Sequence, residues 1–173
     1  MRRIRYRVAA SLDGFIAGPR GEHDWIVNDP EIDFSELFAQ FGTFLIGRNT
    51  FEIMKKDGNA GIPGKKVYVF SRSLSQSDHP NVTIIAEKPE ETVAAIKAEP
   101  GKDIWLFGGG KLFRSLLDAG LVDSVEIAVI PVLLGDGIPL LPAPERTTRL
   151  KLTGNKIFSQ SGIVILEYAV KIN

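Results

Sequence analysis

Apolar residues in this chain fall into short dense runs separated by amphipathic stretches, and that rhythm sets the fold class. Residues 5–10 open with polar–apolar alternation and read as a first strand, which Ser11-Leu12-Asp13-Gly14 breaks. Residues 44–46, 67–70, 82–85, 104–107 and 125–130 are almost wholly apolar, as strands covered on both faces are. Between them, helical patterns occupy residues 50–56, 89–98 and 111–119, the last stopped by Gly120. An earlier helix is expected near Glu31, with Asn28 or Asp29 as cap, Pro30 in its first position, and Phe34, Leu37, Phe38 and Phe41 on one face. Strands that alternate with helices predict crossovers onto a mainly parallel sheet, an α/β fold. Residues 150–157 and 163–172, joined around 159–162, read instead as an antiparallel hairpin finishing one edge. With no repeat, low-complexity tract or linker, residues 1–173 are expected to form one domain.

Composition narrows the chemistry. The 173 residues hold no Cys, which excludes disulfides, thiolate catalysis and Cys-type metal sites. Twenty-one basic residues balance 21 acidic ones, which argues against charge-driven binding to nucleic acid or an anionic membrane. The basic stretch at residues 1–7 is not followed by an apolar signal core, and no run approaches a membrane span; a cytoplasmic protein acting on a small molecule is the expectation.

Several standard devices are missing. Gly64-Lys65, Gly101-Lys102 and Gly110-Lys111 lack the spaced glycine and following hydroxyl of a P-loop. Gly108-Gly109-Gly110 lacks the spacing of a Rossmann fingerprint. His23 and His79 stand alone, so no metal is expected, and there is no Gly-x-Ser-x-Gly elbow. What remains is three strand-to-helix turns. Gly47-Arg48-Asn49-Thr50 offers amides and a guanidinium to an anion. Gly108-Gly109-Gly110-Lys111 permits close backbone approach and adds an ammonium, and Ser71-Arg72 supplies a hydroxyl and a second guanidinium. In a parallel sheet these turns share one edge, where a multiply phosphorylated ligand such as a dinucleotide could touch all three. Gly18, Pro19 and Gly21 mark a long loop after the first strand, and loops of that length are commonly functional.

The ordered motifs Ala9-Ala10-Ser11-Leu12-Asp13-Gly14-Phe15-Ile16-Ala17, Gly47-Arg48-Asn49-Thr50-Phe51-Glu52, Phe70-Ser71-Arg72, Phe107-Gly108-Gly109-Gly110 and residues 131–137 span nearly the whole chain. Together they resemble the dihydrofolate reductase superfamily, most closely the C-terminal reductase domain of the bifunctional riboflavin-biosynthesis deaminase-reductase. The resemblance implies a three-layer α/β sandwich and NADPH as hydride donor. It places Gly47, Arg48 and Thr50 at the pyrophosphate and 2′-phosphate, Ser71 and Arg72 by the adenine ribose, and Gly108, Gly109 and Gly110 along the pyrophosphate and nicotinamide side. Backbone groups of Ala9 and Ala10 would meet the carboxamide, and residues 12–24 would close over the ring. An acid, Glu31 or Asp33, would serve the substrate side; both also suit the first turn of a helix. Ile127 departs from the hydroxyl residue usual in folate enzymes, and no deaminase zinc motif is present. The substrate is therefore expected to be a pteridine- or pyrimidine-like or other small ring. Reduction of the phosphoribosylamino-pyrimidinone of riboflavin synthesis is one alternative, and a non-catalytic nucleotide-binding module another. A homodimer is expected through the exposed C-terminal edge.

Overall fold

The computed structural model describes residues 1–143 and 147–171. In chain order the strands are β1 (Ile4–Ser11), β2 (Phe15–Ala17), β3 (Phe41–Gly47), β4 (Lys66–Phe70), β5 (Thr83–Ile85), β6 (Asp103–Gly108), β7 (Ser124–Ile130), β8 (Ile138–Pro139), β9 (Leu150–Ile157) and β10 (Val164–Val170). The α-helices are α1 (Phe34–Ala39), α2 (Arg48–Lys56), α3 (Pro89–Ala98) and α4 (Gly110–Asp118). Eight strands form one sheet in the order β5-β4-β3-β6-β1-β7-β10-β9, parallel from β5 to β7. β10 runs antiparallel to both β7 and β9, which gives the expected C-terminal edge.

Alternation along β3 and β6 explains the layers. Leu45, Ile104 and Leu106 point to one face, where they bury with Val93 and Ile96 of α3 and Leu112, Phe113, Leu116 and Leu117 of α4. Phe44, Ile46 and Trp105 point to the other, against Leu37 of α1 and Phe51 of α2. Each such side chain contributes about 1.5–3 kcal/mol on burial, so both sheet faces and all four helices are held by apolar area. Tyr6 stacks on Phe113 at 3.8 Å between centroids; its hydroxyl has no partner among the described residues, and burial pushes the phenol well above its ordinary pKa.

The first helix differs from expectation. α1 begins only at Phe34 because Asp33, not Asn28 or Asp29, caps it, accepting from the Glu36 amide at 2.9 Å. Pro30 therefore lies outside the helix, Phe34 is half exposed, and Phe41 belongs to β3. Asp29 is buried and does something else. Its carboxylate accepts from the Glu31 amide at 2.9 Å and the Ser161 amide at 3.2 Å, which ties the segment before α1 to the β9–β10 turn. The long loop after β1 also holds a strand that the pattern did not mark, β2, paired with the two-residue β8. The hairpin's second strand starts at Val164, and residue 172 of its expected span lies outside the described residues.

Candidate active site

The three turns singled out in the sequence are neighbours. β4, β3 and β6 are adjacent in the sheet, and Phe70, Gly47 and Gly108 close their carboxyl ends in nearly matched register. Contact between two of the turns requires glycine. A Cβ on Gly47 would stand 3.2 Å from the Gly109 nitrogen and 3.3 Å from the Gly108 oxygen, and one on Gly109 would stand 3.2 Å from Thr50 Oγ1. Gly108 sits at φ +139, and the Gly108–Gly109 peptide is cis. Gly110 backs onto the other side, where a Cβ would meet the Pro139 oxygen at 2.8 Å.

The helices leaving these turns present uncompensated amino ends. α2 and α4 start from Gly47 and Gly109, neither has a side-chain cap, and neither has an acid in its first turn. α3, by contrast, carries Glu90 and Glu91 there, and α1 is capped by Asp33. Both ends thus present free amides and a partial positive charge, which is chemistry suited to an anion. Cations surround them. Arg48 is half exposed and pairs only with Glu52 at 3.1 Å, and Arg72 and Lys111 are exposed without an ion pair among the described residues. Ser71 is buried, and its hydroxyl accepts from the amides of Ser73 and Leu74 at 3.2 and 3.1 Å, so it shapes the β4 turn.

Next to β6 the sheet splits. β1 pairs with β6 only from Ile4 to Tyr6, although both strands continue, whereas its pairing with β7 runs on to Ser11. Backbone alternation decides which alanine faces the split. The carbonyl of Arg3 accepts from Ile104 of β6, and that of Arg7 accepts from the Trp105 indole at 2.9 Å, so odd-numbered residues turn toward β6. Ala9 thus directs its amide and carbonyl into the split, while those of Ala10 turn toward β7.

The segment after β1 leads toward α2, where Gly21 lies against Ile53 and His23 Nε2 stands 3.3 Å from Asp57, and it is fastened at its start. The Asp13 carboxylate accepts from the Gly135 amide at 2.7 Å and the Leu134 amide at 3.1 Å. Its pKa falls to about 2, chiefly through the Ser11 hydroxyl and then these amides. Gly137, at φ +156, lies so close to the Ala17 oxygen that no side chain would fit. Farther along, Trp25, Ile26 and Ile32 pack with Ala9, Ala128 and Ile130 on the α1 side of the sheet.

The two candidate acids stand apart from these turns, in the segment leading to α1. Both are exposed; Asp33 is engaged as the α1 cap, and the Glu31 carboxylate has no partner among the described residues. Sequence reasoning missed a third charged group. Arg5 reaches Glu126 through Nε at 2.6 Å and Nη2 at 2.8 Å, Arg7 Nη1 reaches it at 3.0 Å, and Ser124 donates to it at 3.0 Å. Burial alone would raise the Glu126 pKa, yet the hydrogen bonds and charge of Arg5 and the charge of Arg7 hold it below the carboxylate range. The visible signal was Arg3-x-Arg5-x-Arg7, three charges on one face of an otherwise buried strand.

Comparison with known proteins agrees with this architecture. Residues 2–164 match the model of the RibD C-terminal domain family. The chain is 36% identical to the uncharacterized protein YyaP of Bacillus subtilis, over 96% of this chain and 94% of that one. Among solved structures, a protein of Shewanella sp. PV-4 provisionally assigned to riboflavin biosynthesis superposes with a TM-score of 0.83 at 26% identity, covering 99% of this chain and 100% of that one. Dihydrofolate reductase from Enterococcus faecalis, solved with NADP(H), shares the fold at a TM-score of 0.74 and 18% identity, over 98% and 97% of the two chains. No helix among the described residues is long and apolar enough to cross a membrane.

Proposed function

Because the chain belongs to the RibD C-terminal domain family, we propose that it is an NADPH-dependent reductase of a small pteridine- or pyrimidine-like ring. One observation carries the reading: two uncapped, acid-free helix starts and three cations gather at contiguous strand ends beside a split that bares the Ala9 backbone. Such an edge fits a long ligand with several phosphates at one end and an amide-bearing ring at the other.

In this reading Gly47, Thr50, Gly108, Gly109 and Gly110 hold the pyrophosphate through amides and one hydroxyl. Arg48 takes the 2′-phosphate, with Arg72 and Lys111 adding charge and Ser71 keeping the β4 turn in shape. The amide and carbonyl of Ala9 fix the carboxamide, and so the face of the nicotinamide turned to substrate; Ala10 acts only through its strand. NADPH, when bound, supplies the hydride. The segment over residues 12–24 excludes water, and its Asp13 fastening sets how readily it opens. Glu31 is the candidate proton source, since its carboxylate is uncommitted while that of Asp33 is engaged in capping α1.

Incubation with NADPH deuterated at C4 and a panel of oxidised pteridines and pyrimidines tests the reading, with deuterium in the product read by mass spectrometry. Transfer to any acceptor supports it. NADPH binding with no transfer to any acceptor favours the non-catalytic nucleotide-binding module. The riboflavin-pathway alternative rests on the family match, and growth without added riboflavin of a reductase-deletion strain carrying this gene would establish it.

A further inference from the structure

Arg7 lies on the α1 side of the sheet, next to Glu126 of β7. Its side chain shares that face with Ala9, and β1 carries both beneath the gap between α1, which packs over β3 and β6, and residues 25–32, which pack over Ala9 and Ala128. The side chain is only 18% exposed. Of its five N–H donors, the one on Nη1 that meets Glu126 is the sole one with a partner among the described residues. Glu126 has nothing more to offer. Its two oxygens already accept two bonds from Arg5, one from Arg7 and one from Ser124, which fills the lone pairs of a carboxylate. Asp103 is no nearer to help, because it is held by Arg3 at 2.7 Å and Arg5 at 3.6 Å.

A guanidinium this enclosed normally satisfies its donors within the protein. The unbonded nitrogens of Arg7 instead remain open to solvent, since Tyr6 Oη is the only buried side-chain polar atom without a partner among the described residues. One nitrogen is anchored on Glu126, and the others reach solvent with donors to spare. That is the arrangement of a recognition arginine.

We propose that Arg7 is the specificity-determining residue of the substrate site, and that it selects a planar substrate bearing an oxygen acceptor, a ring carbonyl or a carboxylate, over an amino-substituted ring. The proposal deepens the reductase reading and rests on it for the position of the substrate. An amino group placed at the same spot would set donor against donor, and the cost of that mismatch is what discriminates.

Two matched probe pairs test it by calorimetry, with the protein saturated in NADP+: pteridine-2,4-dione against 2,4-diaminopteridine, and benzoate against benzamide. Wild type is expected to bind the dione at least tenfold more tightly than the diamine. Arg7→Met should erase that preference and Arg7→Lys should restore part of it. Arg5 keeps both of its bonds to Glu126 in these variants, so the fold stands, and an unchanged NADP+ affinity verifies this. A matching Arg7-dependent preference for benzoate over benzamide extends the acceptor to carboxylates; its absence confines it to ring carbonyls. The proposal is overturned if wild type does not discriminate between dione and diamine, or if Arg7→Met keeps the preference. Failure of the reductase reading is a separate signal, seen as no NADP+ binding by any form, and the probe pairs are then compared on the free protein.

Discussion

Glu126→Gln isolates the buried charge cluster beneath the site. The substitution preserves shape, and an amide can still accept through one oxygen, but it removes the negative charge that the Arg5 and Arg7 side chains share. Arg5 is 8% exposed and Glu126 4%, so the Arg5 guanidinium cannot simply turn to water. Breaking a buried pair by removing one partner costs about 3–5 kcal/mol, and the retained acceptor puts this case near the lower end, about 3 kcal/mol. For a chain of this size that is a fall in Tm of about 6–12 °C. Removing Arg7 instead leaves the two Arg5 bonds to Glu126 intact and should cost less, about 1.5 kcal/mol, the worth of one hydrogen bond to a charged group. The pH dependence has a definite sign. Because the Glu126 pKa is depressed in the folded protein, its contribution is fully present above the ordinary carboxylate range and is lost as pH falls through the depressed value. Urea denaturation of wild type and Glu126→Gln at pH 7 and at successively lower pH should therefore show a wide gap that closes on acidification. A gap under about 1 kcal/mol at pH 7, or one that widens toward acid, would refute the assignment of Glu126 as the ionised hub.

Three further perturbations probe the rest of the framework. Gly110→Ala drives a Cβ against the Pro139 and Leu140 oxygens, and backbone yields poorly, so denaturation should show a loss of about 1–3 kcal/mol. Asp13→Ala frees the start of the segment after β1, and limited proteolysis within residues 12–24 should accelerate. In wild type this protection should persist at pH 4, because the Asp13 carboxyl titrates only at about 2. Asp29→Ala cuts the tie to Ser161, so amide exchange should quicken at residues 159–162 and Tm should fall, while helix α1, capped by Asp33, remains.

Local signals in the sequence were read well where they had no rival, and less well where contacts distant in the chain decided. Helix α3 spans the expected Pro89–Ala98 because proline fixes its first turn and acids follow at once. Ahead of α1, three residues could each have been caps. Asp29 was claimed by Ser161, 132 positions away, and the cap fell to Asp33. The glycine turns were legible as strand-end turns because their signal lies in consecutive residues. Their adjacency followed from the parallel sheet, but the split between β1 and β6 is set by strand register and has no local signature. The same holds for the charge cluster. Alternating arginines were visible in β1, yet their partner Glu126 sits in an apolar run more than a hundred positions later. β8, two residues long, is too short for any periodicity to mark.

Titration of NADPH and NADH against wild type and Arg48→Ala, followed by intrinsic fluorescence, tests the central claim most directly. Trp105 donates to a carbonyl at the split and Trp25 packs beside Ala9, so both report on the proposed nicotinamide end. The account predicts that wild type binds NADPH well below about 1 mM, that Arg48→Ala weakens it roughly tenfold or more, and that NADH is little affected. Absence of binding by either nucleotide up to about 1 mM, or an equal loss for both on substitution, would contradict it.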